Sequence, residues 1–438
     1  MKRLFGLPAA LALSASAASA APGEGFDVRH YAVALTPMHS DRSLVGRTQI
    51  ELQVTAAELR ELAFTPNGLQ IASATLDGRP IRAVQREDAL AFLPSRPLRR
   101  GARVRLEVAY SGTSVRGLTF GPRSVHSNWF ACDWMICLLD RPGDKATIDL
   151  RLTVPSGHTT LGPGVLLSRG PAPGGNEVHR WHSTRPYSSF LFSFAAGSYN
   201  EWSQRDGRFV LRALSETASP ERLGRLFAPT ARMLRFFERR AGVPFPHRSY
   251  TQLHVPGAAA QETVSFSLIG EEVIRPIEEA PAEDWAIAHE LAHQYWGNLI
   301  TCADWSHFWL NEGVVTFLVA AWKEERWGRA AYDREMEIAR RRWQRAVEAG
   351  LDVPLTYAGT YPSPALRRAI TYSKGALFLD ALRTEIGDEA FWRGLRRYTI
   401  RHAGGTVVSR DFQRAYEEAS GRDLTVIFER WVYGPAPR

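Results

Sequence analysis

The segment from His289 to His293, which reads His-Glu-Leu-Ala-His, constrains the fold more than any other part of this chain. Residues four apart on an α-helix lie about 400° around its axis, so the two imidazoles share one face, one turn apart. Two neutral imidazoles and one carboxylate suit Zn²⁺ and leave the fourth position of a catalytic zinc open for water. Glu290 lies about 100° around from His289 and can reach that water as general base. The segment therefore predicts a helix that carries two metal ligands and a catalytic base.

Glu312 is the predicted third ligand, 19 positions after His293 and within the segment Trp309–Gly313. We expect a second helix to begin at Glu312 and to bring its carboxylate to the two imidazoles. The longer zinc pattern HExxHxxGxxH is excluded, because it needs glycine and histidine where this chain has Trp296 and Leu299. The alternative to a metal site is a surface histidine pair without an ion. We predict one Zn²⁺ per chain.

The N-terminus has the pattern of a signal peptide. Lys2 and Arg3 form a basic start, Leu4 to Leu13 form an apolar run, and Ala18 to Ala20 form a small-residue cleavage site. We predict a signal peptide over residues 1–20 and an exported protein, periplasmic or secreted, with an uncleaved anchor as the lesser alternative. No later stretch approaches 18 consecutive apolar residues, so we expect no stable membrane insertion.

Positive charge is spread along the chain, which has a formal net charge of +8 at pH 7. The densest cluster, Arg340 to Arg342, lies in a segment with helical periodicity that also contains glutamate. This pattern indicates a solvated helix face more than a nucleic-acid-binding patch. We therefore expect no nucleic-acid partner.

The chain has three cysteines, and their spacing leaves the pairing open. Cys132 and Cys137 can form a disulfide across a short loop in an oxidising compartment, which would leave Cys302 free. No set of cysteines has zinc-finger spacing, so the metal prediction depends on histidine and glutamate alone.

Hydrophobic periodicity divides the chain into two domains. Residues 49–54 and 103–108 alternate polar and apolar side chains, as strands with one buried face do. Helical periodicity dominates after Ser219, with an interruption at Pro229 and a β-like interval at 251–274. Helices are predicted at 312–327, 330–349, 374–386, 388–402, 410–419 and 424–432. The predicted fold is α+β, with an antiparallel β-domain at 21–201 and a mainly helical domain at 202–438.

Several segments, in the same order along the chain, resemble one known family. They are Tyr31 to Leu35, Asp140 to Pro142 with Lys145 to Thr147, His289 to Gln294 with Gly297 and Asn298, Trp309 to Gly313, Tyr372 to Gly375, and Phe428 to Trp431. Together they resemble the aminopeptidase N family of zinc metallopeptidases, which are gluzincins. The resemblance implies a β-domain packed on a thermolysin-like catalytic domain. It also implies a short form that lacks the large C-terminal helical domain of most members.

The resemblance carries specific roles to residues of this chain. It makes His289, His293 and Glu312 the zinc ligands and Glu290 the catalytic base. Tyr372 matches the family's tyrosine that stabilises the developing oxyanion, a role that a phenol donor can fill. Without the resemblance, Tyr372 would be one of 13 tyrosines and would be assigned to the core.

The amine-recognition loop matches the family less closely. The family's Gly-x-Met-Glu-Asn segment corresponds to residues 259–263 of this chain, where Gln261 and Glu262 are candidate substrate-binding residues. The resemblance implies that Glu262 holds the free α-amine of the substrate, and an ordinary loop glutamate is the alternative. The family's second amine-binding residue, a glutamine, corresponds to His126. A histidine there can carry charge near neutrality.

These observations predict a zinc-dependent aminopeptidase that acts on peptides with a free N-terminus. Zinc endopeptidase or other zinc hydrolase activity on the same scaffold is the main alternative, since only Glu262 argues for removal of N-terminal residues. A catalytically silent peptide-binding module is disfavoured, because binding alone would not require Glu290 and Tyr372.

Overall fold

The structure is a computed structural model, and it describes residues 20–113 and 115–434. The predicted signal peptide lies outside the described residues except for its last position. Among the helices that the structure describes, none is both long and apolar enough to cross a membrane.

The N-terminal domain is built on a large sheet, nine-stranded over the described residues. Its strands, in spatial order, are Val165–Ala172, Asn176–His182, Lys145–Pro155, Phe26–Met38, Ser43–Val54, Arg103–Thr113, Gln70–Leu76 and Arg79–Pro80, and Tyr187–Ser188 also pairs with Lys145–Pro155. Neighbouring strands are antiparallel except Phe26–Met38 and Lys145–Pro155, which run parallel. The predicted alternation of polar and apolar side chains is confirmed at residues 49–54 and 103–108. The apolar side chains there are all buried, namely Ile50, Leu52, Val54, Val104, Leu106 and Val108.

Smaller sheets and a disulfide complete this domain. The short strands are Leu118–Phe120, Ser124–Ser127, Ala195–Gly197 and Thr159–Leu161 in one sheet, Leu62–Phe64, Leu90–Leu93 and Arg82–Gln85 in another, and the pair Glu58–Leu59 and Leu98–Arg99. Two 3₁₀ turns lie at Ala131–Asp133 and Ser189–Leu191. Cys132 is bonded to Cys137, which resolves the pairing that spacing left open, and Cys302 is buried and free.

The second domain begins with a mixed sheet. Its strands, in spatial order, are Asn200–Asp206, Phe209–Ser215, Ser249–Val255, Phe266–Gly270 and Ala260–Glu262. Ala260–Glu262 is the edge strand, antiparallel to Phe266–Gly270. The first of these strands spans the predicted boundary at 201/202, and the boundary itself stays a prediction.

Helices form the rest of this domain. They are Pro220–Phe227, Thr230–Ala241, Glu271–Ile274, Pro276–Glu279, Trp285–Ala292, Trp309–Trp327, Arg329–Glu348, Pro364–Arg368, Gly375–Ile386, Asp388–His402, Ser409–Ser420 and Thr425–Phe428, with π-helical turns at Ala369–Lys374 and Glu429–Tyr433 and a 3₁₀ turn at Trp305–His307. Two short strands, Thr301–Cys302 and Thr406–Val407, pair in parallel. The interruption at Pro229 is confirmed, since one helix ends before it and the next begins after it.

The second ligand-bearing helix begins at Trp309, so the prediction that it begins at Glu312 was wrong. The N–H of Glu312 already donates to the carbonyl of Phe308, four residues earlier. Trp309 and Leu310 are apolar and buried, and they join the helix because they pack in its first turn. Glu312 therefore lies within the first turn, where a carboxylate is favourable to the helix dipole.

The N-terminal domain packs directly against the chain that follows the metal ligands. Lys145 Nζ donates to the carbonyl oxygens of Asn298 and Leu299, at 3.2 and 3.0 Å. A Cβ atom at Gly143 would lie only 2.5 Å from the carbonyl oxygen of Ala303, so glycine permits the close approach. These contacts hold the two domains together behind the metal site.

Candidate metal centre

The helix Trp285–Ala292, which we call the metal helix, carries the first two candidate ligands and the candidate base. Its residues from Ala286 to Ala292 are buried, and His293 follows as the C-cap in helical conformation. The Nε2 atoms of His289 and His293 approach to 3.1 Å. The one-turn spacing thus brings both imidazoles to one point inside the domain.

Glu312 reaches the same point from the helix Trp309–Trp327. Its Oε2 lies 3.3 Å from Nε2 of His289 and 3.4 Å from Nε2 of His293. Ligands about 2.0–2.1 Å from a tetrahedral zinc lie about 3.3 Å from one another, so the three donors occupy the corners of such a tetrahedron. Gly313 makes this position possible, because its backbone crosses that of Gly375 and a Cβ there would lie 2.9 Å from the Gly375 Cα.

The hydrogen bonding of the site also fits a metal ion. His293 Nδ1 lies 2.9 Å from the carbonyl oxygen of Trp296, which can only accept, so Nδ1 carries a proton and Nε2 is the atom that can bind a metal once it is deprotonated. Oε2 of Glu312 and Oε2 of Glu290 are buried without a hydrogen-bond partner among the described residues. Buried acceptors without donors are costly, and a cation at this position would satisfy them.

Burial and the charges of neighbouring side chains shift the pKa of each metal ligand. Burial lowers the pKa of His289 to about 4, so this imidazole is neutral. Burial would also lower the pKa of His293, but the carboxylates of Glu312 and Glu262 raise it to about 10. Burial acts to raise the pKa of Glu312, yet the two histidines hold it well below its usual range. Binding of a divalent cation here is therefore coupled to release of the His293 proton.

Tyr372 lies beside the metal ligands. Its ring stacks on that of His289, with centroids 5.9 Å apart and planes 7° from parallel. Burial raises the pKa of Tyr372 well above its usual value, so the phenol keeps its proton and can donate a hydrogen bond. The π-helical turn that carries it is anchored by Lys374, whose Nζ donates to Asp352 Oδ1 at 2.9 Å and to the Val353 carbonyl at 2.6 Å.

The structure brings Glu262 to this cluster along the edge strand Ala260–Glu262. A carboxylate oxygen of Glu262 lies within 4.8 Å of donor atoms of Glu290 and His293. Burial raises the pKa of Glu262 to about 7. Gln261, its neighbour in the strand, is buried, and neither polar atom of its side chain has a partner within the described chain.

Side chains that follow the metal helix hold this loop in place. The carbonyl oxygen of Thr263 accepts from Gln294 Nε2 and Asn298 Nδ2, both at 3.0 Å. Gln294 Oε1 accepts from the N–H of Ser265, which has a positive φ of 70°. The sequence contained these amides in its family segments, but it gave no sign that they fix the position of Glu262.

His126 lies in the strand Ser124–Ser127 of the N-terminal domain. It is buried, and burial lowers its pKa to about 4. Burial thus disfavours the charged form that a histidine at this position can carry near neutrality.

Sequence reasoning missed Arg368, the last residue of the helix Pro364–Arg368. Its guanidinium carbon lies 5.0 Å from the ring centroid of Tyr372 and 5.9 Å from that of Trp285. The signal was present in the sequence, since Arg368 precedes Tyr372 by four residues and helical spacing places such residues on one face.

Three donors at tetrahedral spacing on two packed helices, beside the edge strand of a mixed sheet, define a mononuclear site that suits Zn²⁺. Residues 227–431 match the Peptidase family M1 domain. This match confirms the predicted resemblance to the aminopeptidase N family of zinc metallopeptidases, and Zn²⁺ is the cofactor that the resemblance indicates. The catalytic and binding roles of individual residues stay predictions.

Named relatives and a solved structure agree with this assignment. The chain is 28% identical to Aminopeptidase N of Streptomyces lividans over 67% of this chain and 36% of that protein. It is 29% identical to Leucine aminopeptidase 2 of Aspergillus oryzae over 68% of this chain and 49% of that protein. The chain thus spans half or less of the length of these relatives. The M1 zinc metallopeptidase from Deinococcus radiodurans has the same fold, with a TM-score of 0.77 and 24% identity over 94% of this chain and 95% of that one.

Proposed function

We propose that this chain is a zinc-dependent aminopeptidase that hydrolyses the N-terminal bond of peptides. The observation that carries the proposal is the position of the Glu262 carboxylate, within 4.8 Å of Glu290 and His293. A carboxylate there can hold an ammonium group beside the base, so that the first carbonyl of a peptide with a free N-terminus reaches the metal ligands. The names of the relatives support this activity, and a mutant of the Deinococcus protein was solved with a Tyr-Ser-Ala substrate.

The residues of the site divide the chemistry among them. Zn²⁺, held by His289, His293 and Glu312, would supply a Lewis acid for the carbonyl and lower the pKa of water. Glu290 takes the proton that the attacking water loses and returns it to the leaving amine. Burial raises the pKa of Glu290 well above its usual range, which suits a group that must both accept and return a proton. Tyr372 donates its phenol hydrogen to the oxygen on which negative charge develops.

The competing proposal is an endopeptidase on the same scaffold, since the base, the metal ligands and Tyr372 can serve any amide. The difference lies in Glu262 alone. An endopeptidase would bind an internal segment and would have no use for a buried carboxylate beside its base.

Matched peptides with free and acetylated N-termini test the proposal. A charge-assisted hydrogen bond to a buried group contributes about 2–3 kcal/mol, so the free peptide should be cleaved about 30- to 150-fold faster in kcat/KM. Glu262→Gln should remove most of this preference, and Gln204→Glu, a charge change at a half-buried position of the edge strand Asn200–Asp206, serves as control. Equal cleavage of both peptides by the wild type would favour the endopeptidase. Failure to cleave either peptide with zinc bound would favour a binding module.

We also propose that the protein is exported, to the periplasm or beyond. The signal-peptide pattern at residues 1–20 supports this, and so does the disulfide between Cys132 and Cys137, since disulfides persist mainly in oxidising compartments. Cell fractionation that finds the native protein together with cytoplasmic markers would contradict export.

A further inference from the structure

Arg368 places a positive charge at the edge of the metal site. Its guanidinium lies over the ring of Tyr372, which in turn stacks on His289. The positive charge of Arg368 is therefore separated from a metal ligand by a single aromatic ring.

A second arginine belongs to the same edge. Arg367 lies over the ring of Phe308, with its guanidinium carbon 4.6 Å from the centroid, and that ring is 6.3 Å from Tyr372. We call Arg367 and Arg368 the arginine rim.

Neither guanidinium of the arginine rim forms a close ion pair. Among the described residues, no carboxylate lies within 4.0 Å of either group, and neither donates a side-chain hydrogen bond. Arg222 and Arg383 show the usual arrangement in this protein, since each contacts two carboxylates. The N–H donors of Arg367 and Arg368 can therefore bind an anionic ligand without breaking a contact within the described chain.

The position of the arginine rim indicates which part of a substrate it meets. Glu262 lies with Glu290 and His293, at the C-terminal end of the metal helix. Arg368 lies over Trp285, the first residue of that helix. If the α-amine of the substrate is held by Glu262, the chain beyond the first peptide bond must extend toward the opposite end of the helix.

We infer that Arg368, with Arg367, binds a carboxylate of the substrate on the C-terminal side of the cleaved bond. This inference rests on the proposed aminopeptidase function. Two sources supply such a carboxylate, namely the C-terminus of a short peptide and the side chain of an aspartate or glutamate that follows the first residue. The planar guanidinium suits both, because it can donate two parallel hydrogen bonds to a carboxylate.

Four peptides with one common N-terminal residue separate these sources. Ala-Phe and its C-terminal amide differ only in the terminal carboxylate, and Ala-Glu-amide and Ala-Gln-amide differ only in the side-chain carboxylate. We expect the wild type to favour the carboxylate in at least one pair by about tenfold in kcat/KM, mainly through KM. The pair that shows the preference identifies the source.

Arg368→Gln should bring the two peptides of the preferred pair to equal kcat/KM, whatever its effect on the rate common to both. Arg340→Gln is the matched control, because Arg340 is an exposed arginine that pairs with Glu337, and it should keep the wild-type preference. A wild type without preference in either pair, or a preference that survives in Arg368→Gln, would overturn the inference.

A binding measurement separates this inference from the proposed activity. Calorimetric affinities of the same peptides for zinc-loaded Glu290→Gln, with and without Arg368→Gln, give the comparison without turnover. Tighter binding of the carboxylate peptide that depends on Arg368 supports the inference even if no peptide is cleaved. Equal affinities overturn it even if free N-termini are cleaved well.

Discussion

His247 should make the folded protein sensitive to mild acid. Its ring lies where the two domains meet and stacks on that of Tyr187, with centroids 6.2 Å apart and planes 26° from parallel. Phe245 packs against it edge to face at 5.7 Å. Its Nε2 has no hydrogen-bond partner among the described residues, and burial lowers its pKa from the ordinary 6.5 to about 4.

The sign and size of the effect follow from proton linkage. Above pH 6.5 the histidine is neutral in both the folded and the unfolded chain, and its contribution to stability is fully present. Below that pH the unfolded chain binds a proton that the folded chain rejects, and the free energy of unfolding falls by about 1.4 kcal/mol per pH unit. The loss reaches about 3 kcal/mol near pH 4, and about 2 kcal/mol of it occurs by about pH 5.

His247→Gln tests this reasoning, because glutamine does not titrate in this range. Urea unfolding of the zinc-free protein at about pH 7.5 and about pH 5 gives the difference, and the absence of zinc prevents metal loss from contributing. The wild type should lose about 2 kcal/mol more than the variant between the two conditions. His39→Gln, at an exposed position, should follow the wild type. Identical losses in wild type and His247→Gln would refute the reasoning.

Two predictions concern the metal site. Glu290→Gln should keep one zinc per chain and lose about 10²- to 10⁴-fold in kcat, since the base is removed and the ligands are not, and near-wild-type turnover would remove Glu290 from its role. Loss of a side chain that only hydrogen-bonds to a metal ligand lowers metal affinity about 10- to 100-fold, and Glu312→Ala, which removes a ligand itself, should lower zinc affinity by more. Metal analysis after dialysis should then find much less than one zinc per chain. An unchanged zinc content in that variant would contradict the three-ligand site.

The parts of this molecule that sequence predicts well are those set by local periodicity. The period-two alternation around Ile50 and Leu106 marks strands, and the four-residue spacing of His289 and His293 marks one face of a helix. Each pattern involves neighbours within one element. The start of helical structure after Ser219 and the break at Pro229 are equally local, and both appear where predicted.

The parts that sequence does not predict depend on which elements meet. Period-two alternation is the same in parallel and antiparallel strands, so nothing in Phe26–Met38 indicated its parallel neighbour. The spacing of Glu312 from the two imidazoles depends on the close crossing of Gly313 and Gly375, which are far apart in sequence. Likewise the low pKa of His126 is a consequence of burial, and a single residue in a sequence does not report its burial.

The charges around the metal helix also explain why the two substrate proposals belong together. Glu262 and Glu290 lie near the C-terminal end of that helix, and Arg368 lies over Trp285 at its start. Burial raises the pKa of both carboxyl groups, and a cation bound beside them lowers it. Zn²⁺ and a substrate ammonium therefore each stabilise the ionised carboxylates with which the other interacts. A short peptide with both ends free carries an ammonium and a carboxylate at opposite ends, in the order that this site presents their partners. Such a peptide would be held in one direction only, because reversing it would place like charges together at both ends.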